Sequence, residues 1–93
     1  MNKAANIPEF TINQLVYLVN FDDFSIERGL IAGRHCNEEE NYLYVFKNDR
    51  FRVEYEEENI FADFKIAKNY MEGIVKETLH EVRKLTEKDI REI

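Results

Sequence analysis

Apolar and polar positions follow two different periods along this chain: strand-like from about Ile7 to Ala62, and helical from about Asp63 onward. Residues 14–20 (QLVYLVN) form a short apolar run rich in β-branched and aromatic side chains, bounded by Asn13 and by Asp22 and Asp23, which predicts a strand buried on both faces. The next run, residues 24–36, carries Gly29 and Gly33; glycines four apart within a strand pattern predict bends where a small sheet curls over itself. Residues 41–47 and 50–56 flank Asn48 and Asp49, which tolerate the positive φ of a tight hairpin turn. A two-residue loop would pair Phe46 with Phe51, Tyr44 with Val53 and Tyr42 with Tyr55 on one face, and Val45 with Arg52 and Leu43 with Glu54 on the other. Residues 58–62 read as a last short strand through Ile60 and Phe61.

Asp63 suits the N-cap of the helix that follows. At 100° per residue, Phe64, Ala67, Met71, Ile74, Val75, Leu79, Val82 and Leu85 fall within about ±80° of one meridian, the width of a core-facing stripe. A continuous helix over residues 64–85 would span about 33 Å, whereas a five-stranded barrel of this size supports only about 20–25 Å. Leu79, Val82 and Leu85 therefore need cover from the segment around Ile7 and Phe10, from a second copy in a homodimer through the C-terminal helix, or from a partner protein. Thr86 followed three residues later by Asp89 is a capping signal, so residues 86–93 read as a broken or frayed helical tail.

Composition narrows the function. With 93 residues the chain suffices for a single domain with one modest core, which leaves little room for a deep catalytic pocket. The net charge is −6, and its distribution is uneven: through Asn59 there are twelve acidic and six basic residues, and from Ile60 onward seven of each. The clusters Glu38, Glu39, Glu40 and Glu56, Glu57, Glu58 dominate that surplus and read as solvated acidic faces. Phosphate backbones and anionic membranes are bound by Lys and Arg, so this charge disfavours direct nucleic-acid or membrane binding and favours a basic protein partner. The longest uncharged stretch, residues 10–21, contains three amides and is too short to span a bilayer; no leader peptide is evident, and the lone Cys36 cannot form an internal bridge. A cytoplasmic location is the expectation.

Few residues offer chemistry. His35 and Cys36 are adjacent, and neighbours on a strand point to opposite faces, which argues against a thiol–imidazole dyad. His80 falls on the outward side of the helix. Two histidines and one cysteine are too few for a structural zinc site, and none of the acidic clusters alternates its ligands around a glycine as calcium loops do. No glycine-rich phosphate cradle is present. No enzyme activity and no cofactor are therefore expected. The hairpin aromatics read either as the main core wall or as a ligand groove, with Tyr17, Tyr42 and Tyr55 best placed to reach the surface.

Phe10-Thr11-Ile12 before Val16-Tyr17-Leu18-Val19, Ile26-Glu27-Arg28-Gly29-Leu30-Ile31, Tyr44-Val45, and Glu58-Asn59-Ile60-Phe61 leading to Ala67 together resemble the small SH3-like barrels of the KOW or Tudor type. More narrowly, the pattern is similar to barrel-plus-helix proteins of phages and bacterial mobile elements. Where such barrels place Gly-Asp before the first strand, this chain has Asn13-Gln14. The resemblance implies an α+β fold: a five-stranded SH3-like antiparallel barrel over residues 7–62, followed by one long C-terminal helix over residues 63–85. The expected function is a non-enzymatic protein-interaction module, in its sharper form an inhibitor or regulator whose acidic side chains occupy a basic, nucleic-acid-binding surface of a host protein. The candidate partner-binding residues are Glu38, Glu39, Glu40, Glu56, Glu57, Glu58, Leu79, Val82 and Leu85. The alternative is a nucleic-acid-binding barrel using Arg28, Arg34, Arg50 and Arg52 with exposed tyrosines.

Overall fold

A computed structural model of the chain describes residues 8–93, so Ile7 lies outside the described residues. Strand β1 (Leu15–Asn20) pairs antiparallel with β2 (Ser25–Cys36) from Leu15↔Leu30 to Asn20↔Ser25. At the tight connection between them Phe24 adopts φ 57°. β2 is twelve residues long and changes partner at a register shift between Ile31 and Gly33; its second half pairs with β3 (Tyr42–Phe46). Gly33 thus sits at the expected bend. β4 (Tyr55–Glu56) returns along β3, a 3-10 turn (Glu57–Asn59) reverses the chain, and β5 (Ile60–Phe61) closes onto β1 through Tyr17↔Phe61 and Leu18↔Ile60. The resulting order, β4-β3-β2-β1-β5, is a curled antiparallel sheet that closes about half of a barrel.

β1 is covered on both faces, because residues two apart along a strand share a side. Val16 and Leu18 point into the curl and pack with Phe10, Ile31, Tyr44, Phe46 and Ile60. Val19 points outward with Ile26, against Ala67, Met71, Val75 and Val82.

The β3–β4 register differs from the two-residue hairpin expected. Tyr44 pairs with Tyr55 and Leu43 with Glu56, two positions further on, leaving residues 47–54 as a wide loop. Asp49 is the cause: its carboxylate accepts from the Phe51 and Val53 amides (3.1 Å each), and the Asp49 carbonyl takes the Arg52 amide at φ 51°. A side chain that satisfies local backbone donors in this way outcompetes a tight ladder. Phe51 and Val53 consequently leave the core wall, Phe51 being 77% exposed. The slip of two keeps Tyr44 and Tyr55 on their intended faces, as a slip of one would not.

The long helix is two short ones. Asp63 caps α1 (Phe64–Ile74) through a 2.8 Å bond from the Ile66 amide to its carboxylate. The helix stops at Val75, which is extended at φ −76°, ψ 146°, and α2 (Leu79–Arg83) folds back along it. Lys68 Nζ donates to the carbonyls of Arg83 and Leu85, both at 2.8 Å, supplying partners to the end of α2. Interrupting a helix forfeits about four backbone hydrogen bonds, worth roughly 0.5–1.5 kcal/mol each. Burying an aliphatic side chain returns about 1.5–3 kcal/mol, and here Val82 is fully buried while Leu79 and Leu85 are half-buried, so the two sums are comparable and the lysine cap favours the fold-back. Phe10, proposed as cover for this stripe, lies instead in the inner cluster.

Gly73 is exposed in the last turn of α1, with nothing within 4 Å of where a Cβ would stand. Gly73→Ala is expected to raise stability by about 0.5–1 kcal/mol through backbone entropy alone, seen as a Tm increase of a few degrees in thermal denaturation.

The tail keeps one 3-10 helical turn before it turns extended. Thr86 and Asp89 form a reciprocal capping box on a 3-10 turn (Glu87–Asp89), and β6 (Arg91–Glu92) then pairs parallel with β2 through Glu27↔Arg91 and Arg28↔Glu92.

Candidate functional site

Two connections and the segment preceding β1 converge at one end of the curled sheet. In residues 37–41 the Asn37 side chain accepts from the Glu39 and Asn41 amides (2.9 Å each), and Glu40 takes φ 63°. This local bonding shapes a loop that carries Glu38, Glu39 and Glu40 outward. Opposite it, β4 and the 3-10 turn present Glu56, Glu57 and Glu58.

Glu57 is the hinge of the arrangement. Its Oε2 accepts from the Glu9 amide at 2.9 Å and from the Tyr44 hydroxyl at 2.5 Å, and that hydroxyl in turn accepts from the Phe10 amide at 3.4 Å. Burial, and then the hydrogen bond to Glu57, push the Tyr44 phenol well above its ordinary range, so it remains a donor. The edge-on contact between Tyr44 and Phe10, with ring centroids 5.7 Å apart, fixes the same junction from the apolar side.

These contacts leave an open cleft of about 350 Å³ lined by Glu9, Glu40, Asn41, Tyr42, Glu56, Glu57 and Glu58. Five of the seven lining residues are carboxylates, and none is a Lys, Arg or His. Field lines concentrate in a concave site lined by one sign of charge, so the cleft attracts cations more strongly than the same residues would on a flat face. Among the described residues, no group of three or more His, Cys, Asp or Glu is arranged to hold a metal ion.

The structure therefore brings together four of the six glutamates singled out from the sequence, while Glu38 and Glu39 stay exposed on the adjoining loop. Glu9 was missed because nothing local marks it: it reaches the cleft through a contact 48 residues away in sequence. Leu79, Val82 and Leu85 do not form an outward stripe. Val82 is buried, and Leu79 and Leu85 are half-buried and packed on the same cluster as Val82.

The remaining candidates are dispersed. Cys36 is exposed, and His35 Nδ1 lies 3.2 Å from a Glu54 carboxylate oxygen. Arg28 is committed to Glu92 and lies over the Tyr17 ring at 5.9 Å, Arg34 donates to the Phe10 carbonyl, and Arg50 rests on Phe51. Arg34 and Arg52 share a shallow depression with His35 and Glu54. No described helix is long and apolar enough to cross a membrane. Comparison of the chain with family models, with curated proteins and with solved structures gives no match, so its residues and their geometry carry the functional reading alone.

Proposed function

We propose that this chain is a non-enzymatic protein-binding module whose acidic cleft receives an arginine- or lysine-bearing segment of a partner protein. The observation that carries the reading is the lining itself: Glu9, Glu40, Glu56, Glu57 and Glu58 around one concavity with no basic side chain among them. Gathering like charges costs stability, and a bound guanidinium relieves that repulsion while donating to several carboxylates at once. The half-buried Tyr42 on the same wall offers an aromatic surface for the stem or head of a cation. On the same reading the curled sheet is an SH3-like barrel, which the five-stranded antiparallel order supports. In its sharpest form, following the resemblance to mobile-element barrels, the partner is a host protein whose nucleic-acid-binding surface the cleft occupies, with carboxylates in place of phosphates.

The test is an NMR titration of the full chain with an octa-arginine peptide at low salt. Shifts are expected at Glu40, Glu56 and Glu58, with affinity falling as salt rises. Glu56→Lys combined with Glu58→Lys should weaken binding by at least about tenfold. Glu57 is left intact because it holds Glu9 and Tyr44. Unchanged affinity in the double variant, or shifts scattered over the surface, would remove the cleft as the binding site.

A further inference from the structure

The segment 90–93 adds a parallel pairing to a sheet that is otherwise antiparallel among the described residues, and it does so where β2 would otherwise present a bare edge. Backbone groups along β2 alternate in direction. Ile31 exchanges bonds with Gln14 and Asn13 on the β1 side, whereas the Leu30 carbonyl faces away and accepts from Lys47 (2.9 Å). β3 departs at that point, and the Arg28 carbonyl, next on the same side, is taken by the Ile93 amide at 2.7 Å.

Side chains match the backbone pairing. Glu27 opposes Arg91 and Arg28 opposes Glu92, each with its ion pair. Arg91 is received in a socket: its Nη2 lies 2.8 Å from Asp23, 2.7 Å from the Ser25 hydroxyl and 3.1 Å from Glu27. Ile93 packs on the inner core beside Gly29. Apart from that isoleucine, the attachment is a two-residue strand and ion pairs whose β6 partners, Arg91 and Glu92, are exposed while Glu27 and Arg28 are half-buried, contacts that are individually modest and weakened by salt.

We propose that this edge of β2 is a strand-addition site that β6 masks, and that its partner is an extended protein segment carrying arginine followed by a carboxylate between two apolar residues. Such a segment displaces β6 and docks in parallel, its backbone giving affinity and its arginine filling the socket of Asp23, Ser25 and Glu27. The site is separate from the acidic cleft and stands or falls independently of it.

Two measurements on the full chain test the proposal. In the wild type, hydrogen exchange at the Ile93 amide should accelerate at least about tenfold between about 0.05 M and about 1 M NaCl, while the Ile31 amide keeps its protection. In a variant carrying Arg91→Glu and Glu92→Arg, which sets like charges against Glu27 and Arg28, the peptide acetyl-DIREI-amide should bind at least about tenfold more tightly than to the wild type. The charge-exchanged peptide acetyl-DIERI-amide should not bind the variant. The proposal is overturned if Ile93 is protected as strongly as Ile31 at both salt concentrations, if wild type and variant bind the first peptide equally, or if the two peptides bind alike. Should the variant fail to fold, the wild-type exchange measurement decides.

Discussion

Val82→Asp is expected to remove at least about 3 kcal/mol of folding stability at neutral pH, a large fraction of what a domain of this size has. Val82 is 0% exposed, packed with Val19, Ile26, Ala67, Met71 and Val75 where α2 folds back over α1. A carboxylate there has no cation within the cluster to pair with, so the folded state holds it protonated and its pKa rises above the unfolded value near 3.9. The sign then follows from linkage. The folded state binds more protons between the two pKa values, so stability falls as pH rises through that window, and the deficit is smallest below about pH 4. Urea denaturation of wild type and variant near pH 7 and near pH 3.5 checks both the size and the sign. On a continuous helix, the same residue would stand near an exposed tip and the change would be nearly neutral at both pH values. A difference under about 0.5 kcal/mol would therefore return Leu79, Val82 and Leu85 to the surface.

That contrast also marks where the sequence is legible. Features set by a few neighbouring residues could be read directly: the doubly buried strand at Val16–Val19, the cap at Asp63, the capping box of Thr86 and Asp89, and the acidic runs that furnish most of the cleft. Features set by competition between distant groups could not. The apolar stripe from Phe64 to Leu85 is continuous on a helical wheel, and the break at Val75 follows from a near balance between lost helix bonds and gained burial that Lys68, bonding the carbonyls of Arg83 and Leu85, tips. The hairpin register turned on Asp49 bonding two amides of its own loop, a choice invisible to strand alternation. β6 did leave a trace, since Ile90-Arg91-Glu92-Ile93 is the charge complement of Glu27-Arg28 read in parallel. Recognising it requires knowing that β3 leaves that edge open, which is a property of the assembled sheet. Glu9 joins the cleft for the same reason, through Glu57 and Tyr44 and not through anything in its own neighbourhood.

Phe46→Ala should cost about 3–5 kcal/mol, and Gly29→Ala about 1–3 kcal/mol, yet the two together should cost less than their sum. Phe46 is completely buried in the curl and meets Tyr55 edge-on with ring centroids 5.5 Å apart, so truncation leaves a ring-sized void in the inner core. Gly29 is the residue that lets the ring lie there. A Cβ at Gly29 would stand 2.9 Å from Phe46 Cδ1, closer than carbon atoms tolerate, and a tight 3.3 Å from Ile93 Cβ, and the ring is locked among buried neighbours with nowhere to swing. This requirement for a missing side chain comes from close approach, since no glycine among the described residues has positive φ. Once Phe46 is alanine, the new methyl at position 29 meets vacant space and recovers part of the lost packing. A double-mutant cycle by urea denaturation should therefore give a favourable coupling of about 1–2 kcal/mol. Strict additivity would mean that the ring does not rest on Gly29, and the tight curl of β2 around the inner core would then need another cause. Gly33→Ala is the internal control: its Cβ would sit 3.4 Å from Val45 Cγ2, within ordinary contact, so Phe46 and Gly33 should show no such coupling.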